Sequence, residues 1–187
     1  MQLRKKYISR AGVKLEHALK HFQIDPTGKI CLDVGAATGG FTDCLLQAGA
    51  AKVYTVETGY GVLDWKLRKD PRVVVRERSN ILYQLDIPKN LDLAVVDTSW
   101  TKLRLSVPAA SRFMKPGGII LALVKPQYEA PKADLVRGIV PAKLAPQIAQ
   151  QVKSELENLG FVVSEVEESP ITGESGNHEY WLKLVLQ

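Results

Sequence analysis

The chain has 187 residues, enough for one domain whose core buries roughly 70% of the unfolded surface. Hydrophobic residues make up 45% and charged residues 24%, an ordinary globular balance, and no apolar run approaches the ~18 residues of a membrane span. The net charge of +5 fits an anionic partner without requiring one, and no apolar segment follows the basic N-terminus, so it is not a secretory signal.

Taken in order, the chain reads as one domain over residues 1–187, with residues 1–8 a basic tail or the remnant of a linker. Arg4, Lys5, Lys6, Arg10 and Lys14 gather there with no acid before Glu16. This is either a solvated face or a footprint for nucleic-acid phosphates. Ser9 is a candidate cap for a helix running to about Phe22. Strands are predicted over 29–34, 51–57, 72–77, 91–97 and 117–124, with helices over 39–47 and 102–115, the latter kinked or delayed by Pro108. Leu144, Ile148, Val152, Leu156 and Leu159 recur at helical steps, and Gly160 supplies a stop. Two last strands, over 161–169 and 179–186, are joined by a polar loop too short for a parallel crossover, so that pair is expected to be antiparallel. The fold expected is α/β and Rossmann-like: a seven-stranded, mostly parallel sheet with an antiparallel C-terminal hairpin and helices on both faces.

The strongest local motif is DVGAATGGFTD, Asp33 to Asp43. A strand ends in an acid, and a turn of small residues (Gly35, Ala36, Thr38, Gly39, Gly40) opens a helix whose N-terminus can meet a ligand. Asp33 bears on which ligand. A carboxylate two residues before the turn would repel a dinucleotide pyrophosphate, whereas S-adenosylmethionine carries an ammonium and a sulfonium. Glu57, at the end of the second strand, stands where an acid grips ribose hydroxyls. Ser79 and Asn80 follow the third strand and could meet an adenine edge; Asp64 is a looser candidate, and Asp43 favours the positive end of its helix.

Lys125 directly follows the fifth strand and Asp97 ends the fourth, on the edge where open α/β sheets bind ligands. Either they form an ion pair at that edge or they carry chemistry; as a base, Lys125 would need its proton affinity lowered by burial or by neighbouring positive charge. Cys31 and Cys44 make neither a disulfide framework nor a zinc pattern and read as buried, reduced thiols, which suits the cytoplasm. His17 and His21 lie one helical turn apart but lack a third ligand, so they read as a solvated face, and no metal is expected. His178 adjoins Glu179, but strand alternation would separate the two side chains.

SRAGVKLEHAL, CLDVGAATGGFTDCLLQ, VYTVETGYG, VVDTSW, ALVKPQYE and SPITGESGNHEYWL occur in an order that resembles the TlyA (hemolysin A) branch of the FtsJ-like ribose 2′-O-methyltransferases. The element order likewise resembles class I methyltransferases. The resemblance implies S-adenosylmethionine as cofactor, RNA (ribosomal RNA or ribosomal subunits) as partner, and a Lys-Asp-Lys-Glu tetrad of Lys14, Asp97, Lys125 and Glu179. Lys125 would be the base, with Lys14 lowering its pKa and Asp97 and Glu179 orienting the amines. Gly35, Gly39, Phe41 and Glu57 would lie in or near the cofactor pocket. Proteins of this branch usually carry a small N-terminal RNA-binding domain, and this chain begins near the linker that would follow it. The family's glycine-rich stretch after the lysine strand is altered here (ADLVRGIVPAKL), and no pore-forming segment accounts for lysis. Two other readings use the same fold: a methyltransferase acting on a small molecule or protein, and a non-catalytic nucleic-acid binder.

Overall fold

A computed structural model describes residues 6–187, so Arg4 and Lys5 lie outside the described residues. Five strands run parallel: β1 (Ile30–Val34), β2 (Lys52–Val56), β3 (Val73–Arg76), β4 (Leu91–Val96) and β5 (Met114–Val124). Their order across the sheet is β3-β2-β1-β4-β5, so the winding reverses between β1 and β4. Loops leaving two such neighbours diverge and open a crevice at the carboxyl ends of the strands.

Both faces of this sheet are covered, and each strand alternates between two cores. Leu32, Val34, Ala94, Val96, Ile120 and Ala122 pack on one side, against α4 (Leu103–Ser111) and α6 (Ala145–Asn158). Cys31, Leu93, Val95, Leu121 and Leu123 pack on the other, against α1 (Ala11–His21), α2 (Gly40–Gln47) and α3 (Trp65–Lys69). That is why these strands read as continuous apolar runs. A four-residue helix, α5 (Pro126–Glu129), follows β5. The sequence signals pass over α3 and α5, which are too short for periodicity to register.

Beyond β5, β8 (Tyr180–Val185) runs antiparallel to it, pairing Tyr180 with Val124. The single strand expected over 161–169 is two pieces, β6 (Val162–Val163) and β7 (Glu167–Glu168), both antiparallel to β8, so the sheet has eight strands instead of seven. Val163 pairs with Leu184 but Glu167 with Trp181, so one extra residue bulges between them. Ser164 bridges the gap: its amide donates to the Lys183 carbonyl at 2.9 Å, and its hydroxyl accepts from the Lys183 amide at 3.0 Å.

Two helix expectations need correcting. Arg10, not Ser9, is the N-cap of α1, and no side chain caps it. Ser9 is held elsewhere, with its hydroxyl against Gly40 where α1 and α2 meet. The helix expected over 102–115 ends at Ser111 and passes through Pro108, because Met114 is already paired with Leu91 in the sheet. No helix of the described residues is long and apolar enough to cross a membrane.

Candidate active site

The turn after β1 is built by crowding. Gly35 has φ +85°, and a Cβ there would lie 2.1 Å from the Asp97 carbonyl oxygen at the end of β4. Gly39, at φ +97°, caps α2, and a Cβ there would press on Leu67 and Leu63. Between them Ala37 holds φ +47°, a left-handed conformation that costs a non-glycine residue of order 1 kcal/mol. The Glu57 carboxylate offsets part of that cost: Oε2 accepts from the Ala37 amide at 3.0 Å and Oε1 from the Gly59 amide at 2.8 Å.

Four residues proposed from this motif as cofactor contacts sit below the surface. Asp33 is fully buried, accepts a 2.6 Å hydrogen bond from the Thr42 hydroxyl, and lines neither cavity described below. Burial pushes its carboxyl up to about 7. Its other oxygen, Oδ1, has no hydrogen-bond partner. Ala36 is buried in the core on the α1–α2 side of the sheet. Gly40 is the point where α1 presses on α2, since a Cβ there would meet Ser9 and Ala11. Phe41 packs on Trp181 with ring centroids 5.5 Å apart, inside the core. A turn that brings backbone to a ligand has to be propped from beneath, and these four residues prop it.

Above the turn lies a cavity of about 450 Å³, lined by Gly35, Ala37, Glu57, Ser79, Asn80, Asp97 and Trp100 among others. It collects the loops after β1, β2, β3 and β4. Its charged lining is Glu57, Asp97 and Lys125, and that lysine is paired with Asp97. Among the described residues no free cation faces the space to receive a pyrophosphate, and the Ala37 amide is already taken by Glu57. The donor set therefore fits S-adenosylmethionine, which carries positive charge and no phosphate, better than a dinucleotide.

A wider groove of about 790 Å³ opens beside it, lined by Arg10, Lys14, Thr38, Asp64, Lys125, Tyr128, Glu174 and Glu179 among others. Ala37, Ser99 and Lys125 line both spaces, so Lys125 stands where they meet. The four tetrad residues form two ion pairs: Lys125 with Asp97, and Lys14 with Glu179 at 2.5 Å. Lys14 reaches the site from α1. Glu179 immediately precedes β8, whose first residue, Tyr180, pairs with Val124 next to Lys125. Antiparallel pairing thus delivers the start of β8 to the same edge as the carboxyl ends of the parallel strands.

The resting electrostatics depart from one expectation. Burial alone would lower the proton affinity of Lys125, but the Asp97 partner and the nearby Glu179 outweigh it, and the lysine pKa is raised. Lys14 is held by Glu179 rather than directed at Lys125. Burial raises the Glu179 carboxyl, with the Lys14 ammonium opposing.

The remaining candidates scatter. Asp64 caps α3 by accepting from the Lys66 amide at 2.8 Å, and it also lines the groove. Asp43 anchors the chain entering α1, accepting from the Ile8 amide at 2.8 Å. Of the basic N-terminal residues, Arg10 lies exposed on the groove wall, while Lys6 is paired with Glu16. His178 meets Glu168 at 2.6 Å. Cys31 and Cys44 are buried and unpaired, and burial pushes both thiols up to about 12. His17 and His21, expected to lack a third ligand, both face Glu167 of β7.

Sequence reasoning missed Trp100 and Tyr128, whose rings sit 5.2 Å apart at the mouths of the two spaces. Trp100 is 90% exposed. A large aromatic just past an apolar strand reads as core, and only its exposure marks it.

The FtsJ-like methyltransferase family model matches residues 7–185. The chain is 43% identical to "Putative rRNA methyltransferase YqxC" of Bacillus subtilis, over 96% of this chain and 66% of that protein. It is 42% identical to the 16S/23S rRNA (cytidine-2′-O)-methyltransferase TlyA of Mycobacterium tuberculosis, over 97% of this chain and 69% of that protein. It therefore spans about two thirds of the length of these relatives. A crystal structure of a "putative hemolysin" from Lactococcus lactis superposes with a TM-score of 0.93 at 38% identity, covering 98% of this chain and 90% of that one. With the match running through the glycine turn, both cavities and all four tetrad positions, the chain belongs to the FtsJ-like methyltransferase family.

Proposed function

We propose that the protein transfers a methyl group from S-adenosylmethionine to a ribose 2′-hydroxyl of RNA, with ribosomal RNA as the substrate. The observation that carries this reading is the position of Lys125, shared by a nucleotide-sized cavity with an acidic lining and a larger groove that carries Arg10 and Lys14. The names of the relatives support ribosomal RNA, since the Mycobacterium protein is a cytidine-2′-O methyltransferase.

When bound, S-adenosylmethionine supplies an electrophilic methyl on a positively charged sulfur. Glu57, Ser79 and Asn80 would hold its nucleoside end, and the turn at Gly35 and Ala37 its amino-acid end. Lys125 would accept the 2′-hydroxyl proton at Nζ, leaving the oxygen free to take the methyl. In the free protein Lys125 is an ammonium, so it has to shed a proton before it can act. A cation brought beside it works in that direction, because like charge disfavours the protonated amine. Asp97 and Glu179 hold the two lysines in place through the ion pairs already described. Trp100 and Tyr128 offer flat faces to an unstacked base, as single-stranded RNA recognition requires.

The reading is tested by tritiated methyl transfer to 30S and 50S ribosomal RNA, with DNA of the same sequence as control. Label that enters RNA and is lost when the target ribose is 2′-deoxy supports it. Label that enters only protein or small molecules sinks it and favours the small-molecule or protein alternative.

A further inference from the structure

Away from the active-site edge, α1 and the C-terminal hairpin meet in a second cluster. His17 and His21 are one turn apart on α1, with ring centroids 6.0 Å apart and planes inclined by only 25°. Glu167 of β7 faces both. Its Oε1 lies 2.8 Å from His17 Nε2 and 3.3 Å from His21 Nδ1, and one ligating atom from each residue lies within 4.8 Å of the others. Glu165 brings a second carboxylate to 3.9 Å from His21 Nε2. The cluster side chains are 33%, 31% and 25% exposed, so an ion can enter from solvent without unfolding.

We propose that His17, His21 and Glu167 form a binding site for a divalent ion of the zinc class. Bonds of 2.0–2.1 Å in a tetrahedron leave neighbouring ligand atoms about 3.3 Å apart. His21 and Glu167 already stand at that separation, and His17 needs to withdraw by about half an ångström. Two imidazoles and one carboxylate select borderline ions over magnesium or calcium, which take oxygen donors. The fourth position falls to water or to Glu165.

The site has a structural consequence. His17 follows Lys14 by one turn of α1, and Glu167 pairs with Trp181, two residues beyond Glu179. An ion here closes the same seam between α1 and the hairpin that the Lys14–Glu179 pair closes at the active-site end. It therefore acts as a second fastening for the helix that carries Lys14. The inference rests on this cluster alone and stands apart from the proposed reaction.

The test uses the full chain without a histidine tag, stripped with chelator and titrated with zinc chloride by calorimetry. Thermal unfolding is followed with and without the ion. One ion per chain at micromolar affinity or tighter is expected, with a rise of several degrees in Tm. The His17→Ala/His21→Ala variant should lose both, whereas Cys31→Ser should keep both. Because the double variant could misfold, cobalt substitution of the wild type reads the ligands directly. Weak visible bands without thiolate charge-transfer absorption are expected. No binding by the wild type, equal binding by a folded double variant, or a thiolate band would each overturn the site.

Discussion

The cavity beside Glu57 and the groove beside Lys14 share a wall at Lys125, yet they are made of different material. The cavity is lined by loops at the ends of four adjacent parallel strands, apart from Lys125 all within one stretch from Val34 to Thr101. Its shape is set by backbone: the left-handed turn at Gly35 to Gly39 and the amides that Glu57 ties down. The groove draws on stretches far apart in the chain, around Lys14, Lys125 and Glu179 besides the loops at Thr38, Asp64 and Ser99, and its centre is side-chain charge held in pairs. A cavity of the first kind follows almost automatically from the crossover topology. One of the second kind exists only once α1 and the last hairpin have docked.

The widest separation of the two should come from Lys125→Ala. Methyl transfer should fall by ~100-fold or more while cofactor affinity stays within about twofold, as measured by single-turnover assay and calorimetry. In the wild type, the raised Lys125 pKa also means that kcat/KM should keep rising with pH through neutrality, since the free enzyme must lose that proton to act. Near-normal turnover in the variant, or a pH profile flat above neutrality, would move the base elsewhere.

Gly35→Ala attacks the other side. Its methyl meets the Asp97 carbonyl and its φ is unfavourable, so cofactor affinity should drop about tenfold and Tm should fall, with RNA affinity in the absence of cofactor unchanged. Equal losses of RNA and cofactor binding would show that the two spaces are not separable.

A finer cut concerns phosphate contacts. Arg10→Ala should weaken RNA binding and flatten the logarithmic salt dependence by about 0.7, the share of one single-strand phosphate contact. Lys6→Ala should do less, because Lys6 is already paired with Glu16. The reverse ranking in a salt titration would place the RNA path along the N-terminal segment instead of the groove.

Asp33 gives a linkage effect on stability rather than on binding or turnover. Its carboxyl ionises near the usual carboxylate value when unfolded and at about 7 when folded, so between those values the folded state holds the extra proton. Stability is therefore fully present at the acidic end of that window and is lost as pH rises through it. Asp33→Asn, which has no proton to lose, should gain stability relative to wild type from pH 4 to pH 7 in denaturant titrations. A constant difference across that range would show that folding does not raise the Asp33 pKa.

Much of this molecule follows from short-range rules. Alternating β-rich runs and helical patterns specify the parallel sheet, because strands covered on both faces are mostly apolar along their length. The eight-residue link from Pro170 to Asn177 specifies an antiparallel last pair because no crossover fits in it. The acid, turn and helix of Asp33 to Asp43 mark the ligand edge, since left-handed backbone needs small residues. What these rules could not reach are contacts between elements far apart in the chain. Gly35 is small because β4 crowds it, Gly40 because α1 does, and Phe41 belongs to Trp181 rather than to a ligand. The bulge at Ser164 and the arrival of Glu167 beside two histidines also depend on how the hairpin registers against β8. Periodicity and propensity act over a few residues, whereas the neighbour of a side chain is chosen by packing across the whole sheet. The sequence alone therefore determined the class of fold and the edge where ligands bind; tertiary packing decided which of the marked residues face that edge and which merely hold it up.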